Sequence, residues 1–126
     1  MQNTKMGKWK YYGVFVVLVV FVVGMLFIFL SYNWKHTFTS EKWSNKPDER
    51  ALFVNDLLEN HEIIGMTESD IISLLGENDN DMGYFLKDDR FVYCLGLEGQ
   101  LFKIDNQWLL LDFTNGIVSD YSITMD

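Results

Sequence analysis

An α+β fold behind an N-terminal transmembrane helix is what this sequence predicts, and three observations predict it. Residues Gly13–Leu30 run for 18 positions without a charge, an amide or a hydroxyl. The segment Gly65–Gly76 is punctuated as a short helix at both ends. The last third of the chain holds three strand-like runs, the final two joined by Asn115-Gly116. Two helices are expected to pack on a three-stranded antiparallel sheet, with Tyr84–Leu86 and Leu101–Ile104 as candidates for a fourth strand.

A helix of 18 residues rises about 27 Å, close to the roughly 30 Å hydrocarbon core of a bilayer. Tyr12, Ser31 and Tyr32 extend it to a span over residues 12–32. Seven valines would weaken a helix in water through their stiff χ1. In lipid the backbone must bond to itself, and helix wins. A signal peptide is the rival reading of residues 1–32. The apolar run exceeds an h-region of roughly 7–15 residues, and Phe27–Asn33 lacks a small-residue cleavage pattern. A lipoprotein signal needs a cysteine just after the run, and Cys94 is the sole cysteine. An uncleaved anchor is therefore expected. Trp9, Tyr11 and Tyr12 flank one end and Tyr32 and Trp34 the other, as an aromatic belt requires. Lys5, Lys8 and Lys10 precede the run without an acid, which places the N-terminus in the cytoplasm and the rest outside. Gly13 and Gly24 form no G-x-x-x-G dimer face.

The charge is split around this helix. All 18 acids follow it, against seven bases. So acidic a chain lacks the basic footprint of a nucleic-acid binder. One cysteine permits no disulfide within the chain and no multi-cysteine zinc site. Cys94, inside Phe91–Leu95, reads as a small core residue. The chain divides into a cytoplasmic leader (1–11), the transmembrane helix (12–32), a polar juxtamembrane linker (33–46) and one small α+β domain (47–126). Phe38 and Trp43 in the linker have two possible docking places, the domain or the membrane surface.

Pro47 opens the first helix of the domain, with Asp48 and Glu49 complementing the positive end of its dipole. At 100° per residue Ala51, Phe53, Val54, Leu57 and Leu58 share an arc of about 160°, a core-facing stripe. Asp56, Glu59 and Asn60 lie opposite. In the second helix Thr67 is the N-cap, and Asp70 sits where a capping-box acid reaches back. Ile71, Leu74 and Leu75 make its apolar face. Gly76 is expected at C′ in the left-handed conformation. Eight residues make no stable helix alone, so Met66 and this face must pack on the first helix and the sheet.

The polar loop Glu77–Met82 has acids at alternate positions. Calcium-loop spacing would use Glu77, Asp79, Asp81 and Asp88, but Met82 stands where that loop needs glycine, and no second helix follows. A solvated loop is expected, with Asp79→Ala and Asp81→Ala near neutral. The strands are Arg90–Leu95, Gln107–Phe113 and Ile117–Met125. The second is apolar at nearly every position, as a central strand covered on both faces would be. The third alternates, with Ile117, Val118, Ser119, Tyr121, Ile123 and Met125 on one side and Asp120, Ser122 and Thr124 on the other, an edge strand with one wet face. Asn115-Gly116 is the strongest short hairpin signal.

The pattern G-M-[ST]-x-x-[DE]-[IV]-x-x-x-L-G, then a polar loop, an aromatic strand and an apolar strand–Asn-Gly–strand hairpin, resembles the SmpA/OmlA family. That family includes a small outer-membrane lipoprotein of the β-barrel assembly machinery. Gly65, Met66, Thr67, Asp70, Ile71, Leu75 and Gly76 match the helix motif. Leu109, Leu111, Phe113, Gly116 and Val118 match the hairpin around Asn115. The likeness covers residues 61–121 and implies two helices on an antiparallel sheet, similar to the β-lactamase inhibitor protein repeat. Asn78 stands where the family has proline, and a transmembrane helix replaces the lipidated cysteine.

The sequence holds no G-x-S-x-G, phosphate-binding glycine loop, H-E-x-x-H or C-x-x-C. His36 reads as a solvated linker residue, and His61, between Glu59 and Glu62, as a surface residue at a helix end. No catalytic, cofactor or metal residues are assigned. The expectation is a non-enzymatic, single-pass envelope protein whose acidic domain binds a protein partner as adaptor or scaffold. The alternative is an inhibitor or immunity-type protein, whose acids would suit a basic active-site cleft.

Overall fold

The computed structural model describes residues 3–97 and 105–126, and it divides the chain into residues 1–35 and 36–126. The first unit is helix α1, Asn3–His36, whose last residue falls in the second. Its stretch Gly7–His36 has a mean hydropathy of 3.2 over its most apolar window and is long enough to cross a membrane. The helix continues through residues 33–36, past the expected end of the span.

The second unit is α+β. Its elements in order are α2 (Ser40–Asn45), a 3₁₀ turn (Pro47–Glu49), α3 (Arg50–Asn60), α4 (Glu68–Leu75), a second 3₁₀ turn (Asn80–Met82), β1 (Arg90–Gly96), β2 (Gln107–Thr114) and β3 (Ile117–Met125). The strands form an antiparallel sheet in the order β1-β2-β3. Tyr84–Leu86 is not a strand; Leu101–Ile104 lies outside the described residues.

Each element follows from local chemistry. Thr67 accepts from the Asp70 amide at 3.1 Å while the Asp70 carboxylate accepts from the Thr67 amide at 3.2 Å, a complete capping box. Ile71 and Leu75 are fully buried, and Met66 and Leu74 pack beside them. Thr67→Ala is expected to cost about 1 kcal/mol, read from urea unfolding of the full chain in detergent. Gly76 closes the helix with φ +77° and ψ −168°. The positive φ is as expected, but the left-handed helical conformation is not adopted. Its ψ is extended, a region essentially reserved to glycine. The turn lets the Gly76 carbonyl accept from the Tyr93 hydroxyl at 2.9 Å. At the hairpin, Asn115 and Gly116 both have positive φ, as a type I′ turn demands.

The core lies between the helices and one face of the sheet. Tyr93 and Leu95 of β1, Leu109, Leu111 and Phe113 of β2, and Val118 of β3 meet Phe53, Val54 and Leu57 of α3 and Ile71 and Leu75 of α4. The segment read as a linker belongs to this core. Thr39 caps α2 by accepting from the Lys42 amide, and Trp43 is 0 % exposed, its ring edge-on to Phe53 and Tyr93. Phe38 is also buried, its amide donating to Asp56 at 2.7 Å. Three helices therefore cover the sheet instead of two. A Cβ on Gly96, which has φ +81°, would stand 2.7 Å from the Asp48 carbonyl oxygen, so only glycine lets the end of β1 approach the first 3₁₀ turn this closely.

The second face of the sheet carries a smaller cluster of Val92, Trp108 and Leu110, with Phe85 and Cys94 against it. Tyr84 stacks on Trp108 with ring centroids 4.8 Å apart. Covering both faces of β2 explains its unbroken apolar run.

Candidate functional site

The two long edges of the sheet are treated in opposite ways. The outer edge of β1 is closed by side chains and one loop amide. The Asp79 amide donates to the Val92 carbonyl at 2.7 Å, and the Val92 amide donates to Asn80 Oδ1 at 2.7 Å. Asn80 Nδ2 donates to the Arg90 carbonyl at 2.8 Å, and the Cys94 amide donates to Asp79 Oδ2 at 2.8 Å. Arg50 Nη1 completes the row by donating to the Cys94 carbonyl at 3.2 Å. The loop expected to be solvated thus stands in for a fourth strand, because Asx side chains bond backbone groups as readily as backbone does.

Arg50 ties this edge to the helices. It is 8 % exposed and donates from Nε to the Trp43 carbonyl at 2.9 Å and from Nη1 to Asp79 at 3.2 Å. Its guanidinium lies 4.9 Å from the Trp43 ring centre. Burial pulls the Arg50 pKa down and Asp79 opposes the pull; a guanidinium stays protonated in such a setting. The Asp79 carboxylate is thereby committed to a cation and an amide of its own chain. Cys94 is half-buried, and burial pushes its thiol up, away from thiolate chemistry.

Across the sheet, Arg90 and Asp112 face each other in register and pair through two bonds of 2.6 and 3.2 Å. Arg90 also donates to the Phe85 carbonyl at 3.0 Å, holding the loop against the second face. These bonds hold the Asp112 carboxyl below the usual aspartate range, and the Phe38 amide does the same for Asp56. A depressed folded pKa contributes stability that is present above the unfolded value, near 3.9, and lost as pH falls through the folded one. The melting point of the full chain is therefore expected to fall on acidification below about pH 4. Asp112→Asn should flatten that acid limb in a series of thermal melts.

The outer edge of β3 is treated otherwise. Only its start is paired: Gly65 N donates to the Val118 carbonyl at 2.9 Å and Val118 N to the Met66 carbonyl at 2.8 Å. A register shift between Asp112 and Phe113 inserts Ser119 as a bulge, so Val118 alone of the first three residues shares the Tyr121 face, and Ile117 and Ser119, expected there, do not. Beyond it, Asp120–Met125 has no backbone partner on that side among the described residues. Tyr121, Ile123 and Met125 stand opposite Leu111, Leu109 and Gln107, so they share the face that the helices cover elsewhere. They remain 38, 41 and 56 % exposed, because the helical layer stops short of β3. A cleft of about 290 Å³ lies beside Tyr121, lined also by Leu58, Glu59, Glu62 and Ile64. His61, at the C-cap of α3, reaches the same cleft with its ring edge-on to Phe38.

The motif residues named from the sequence frame this edge without forming a chemical centre. Gly65 and Met66 pair with Val118, and Thr67 bridges Ile117. Asp70, Ile71, Leu75 and Gly76 build α4, and Asn115 and Gly116 turn β2 into β3. The structure adds Arg50, Asn80 and the Tyr121–Met125 row. The alternation of β3 signals that row in the sequence, but nothing local signals that helices leave it bare. No family model, curated protein or solved structure matches this chain.

Proposed function

We propose that this chain is a single-pass envelope protein with an SmpA/OmlA-like domain that binds a protein partner as an adaptor or scaffold, without catalysis. The anchor stays uncleaved, the N-terminus is cytoplasmic, and the acidic domain lies outside. One observation carries the reading: Tyr121, Ile123 and Met125 form an exposed apolar row on the core-facing side of an open strand. A row of that kind at a bare sheet edge suits a protein surface or an extended segment.

A photo-crosslinking residue at Tyr121 or Ile123 of the full chain, in its native membrane, tests the proposal. A defined protein adduct is expected at these positions, and none at any surface position would overturn the reading. The adduct's identity separates two roles. An envelope complex supports the adaptor. A single soluble enzyme supports the inhibitor reading, which draws on Glu59, Glu62 and Asp120, carboxylates without an ion-pair partner among the described residues.

Two further outcomes are expected for the anchor. The mass of the protein extracted from membranes should show that residues 1–32 are retained. Protease added to intact spheroplasts should digest residues 33–126 and spare the helix. Loss of residues 1–32, or protection of the domain, would reverse the respective assignment.

A further inference from the structure

The pairing pattern says which backbone groups of β3 are available. On β1 the amide and carbonyl groups of Arg90, Val92 and Cys94 that bond the Asp79–Asn80 loop and Arg50 point away from β2. Their partners on β2 are Asp112, Leu110 and Trp108. In an antiparallel ladder such residues form the non-hydrogen-bonded pairs, so those three β2 residues direct their backbone groups toward β3. Their partners on β3 are Asp120, Ser122 and Thr124. The alternate residues, Tyr121, Ile123 and Met125, therefore point their amides and carbonyls outward. One contact agrees independently: the Tyr121 amide is taken by the Asp120 carboxylate at 2.8 Å. Among the described residues, Ile123 and Met125 thus offer open amides and carbonyls in the plane of the sheet, Tyr121 offers its carbonyl, and all three place apolar side chains on its helix side.

Charge selects among occupants. Glu59 and Glu62 rim the cleft beside Tyr121, Asp120 precedes Tyr121 on the strand's other face, and the chain beyond Tyr32 holds 18 acids against seven bases. A second copy docking strand to strand would bring two such acidic surfaces and two Asp120 residues together, which like-charge repulsion opposes. A cationic segment meets the opposite condition. The edge also accepts an added segment already, since Gly65–Thr67 pairs with Ile117 and Val118 before the chain diverges at the cleft.

We infer that the partner contributes an extended segment of alternating aliphatic and cationic residues, which adds to β3 as a fourth strand along Tyr121–Met125. Its aliphatic side chains lie on the Tyr121, Ile123 and Met125 row. Its alternate cations lie on the other side of the sheet with Asp120, and a cation at the end of the segment, past Tyr121 where the added strand stops, meets Glu59 and Glu62 at the cleft. The inference rests on the partner-binding reading and names the chemistry of the partner.

The test uses the full chain in detergent and two fluorescent ten-residue peptides, one alternating valine with lysine, the other valine with glutamate. Anisotropy should show the lysine peptide binding at least about tenfold more tightly. On binding, the amides of Ile123 and Met125 should gain protection from hydrogen exchange. Ile123→Pro removes an outward donor that β2 does not use, and should weaken binding about tenfold or more while the β2 amides stay protected. Glu59→Gln with Glu62→Gln, both on the surface, should weaken it several-fold without moving the melting point. Equal binding of the two peptides, binding indifferent to Ile123→Pro, or a concentration-dependent dimer in sedimentation would each overturn the inference. Crosslinking to a partner only through Leu86, an exposed apolar residue of the loop before β1, would also overturn it, yet leave the partner-binding role standing. Peptide binding at β3 with no crosslinked partner in membranes would support the edge chemistry and sink the broader role.

Discussion

Trp43→Ala is expected to destabilise the domain by about 3–5 kcal/mol, the range for removing a large buried aromatic side chain. Trp43 touches Phe38, Phe53 and Tyr93 with its ring and lies under the Arg50 guanidinium. Its removal takes away burial and three aromatic edges at once. A domain of this size has about 5–10 kcal/mol in total, so the melting point should drop by tens of degrees. Near-UV circular dichroism of the full chain in detergent measures it. The indole N–H is buried with no acceptor among the described residues. Trp43→Phe removes that donor and keeps part of the ring, so it should cost far less. A melting point untouched by Trp43→Ala would return residues 38–46 to the role of a linker.

Arg50→Ala should follow at about 2–4 kcal/mol. Removing the guanidinium leaves the Trp43 and Cys94 carbonyls and the Asp79 carboxylate without their cation, and three elements lose their common tie. The cost stays below that of a fully enclosed pair because the Asp79 side chain is 28 % exposed and can take up water. Asp79→Ala should also destabilise, against the near-neutral effect that a solvated loop implies, since it strips both Arg50 and the Cys94 amide of an acceptor. Asp79→Asn keeps an oxygen for that amide and should be milder. Urea unfolding of the two single variants and the double one gives the coupling; strict additivity would mean that the two residues act independently.

Much of this was legible from local chemistry. The capping box at Thr67 and Asp70, the Asn115-Gly116 turn and the unbroken apolar run of β2 are encoded within a few residues, and each appears where the spacing places it. What was not legible depends on residues far apart in the chain. Asp79 and Asn80 find their partners 10 to 29 residues away, and a polar loop reads the same whether its acceptors meet water or a strand. Trp43 in a polar segment has no periodicity to declare its partner. The bare β3 edge depends on where the helices end in space, which hydrophobic spacing along α3 and α4 does not express.

The sealed edge of β1 also sets an upper limit on assembly. Strand-to-strand growth needs two competent edges, one to join and one to hand on, and fibres arise when every added unit restores the edge it consumed. Among the described residues, this domain has one such edge. Any unit that docks through β3 presents only its side-chain-capped flank outward, so two copies could at most close on each other and stop. Wherever copies crowd together, the Asp79–Asn80 cap denies them the second edge that open-ended strand addition requires.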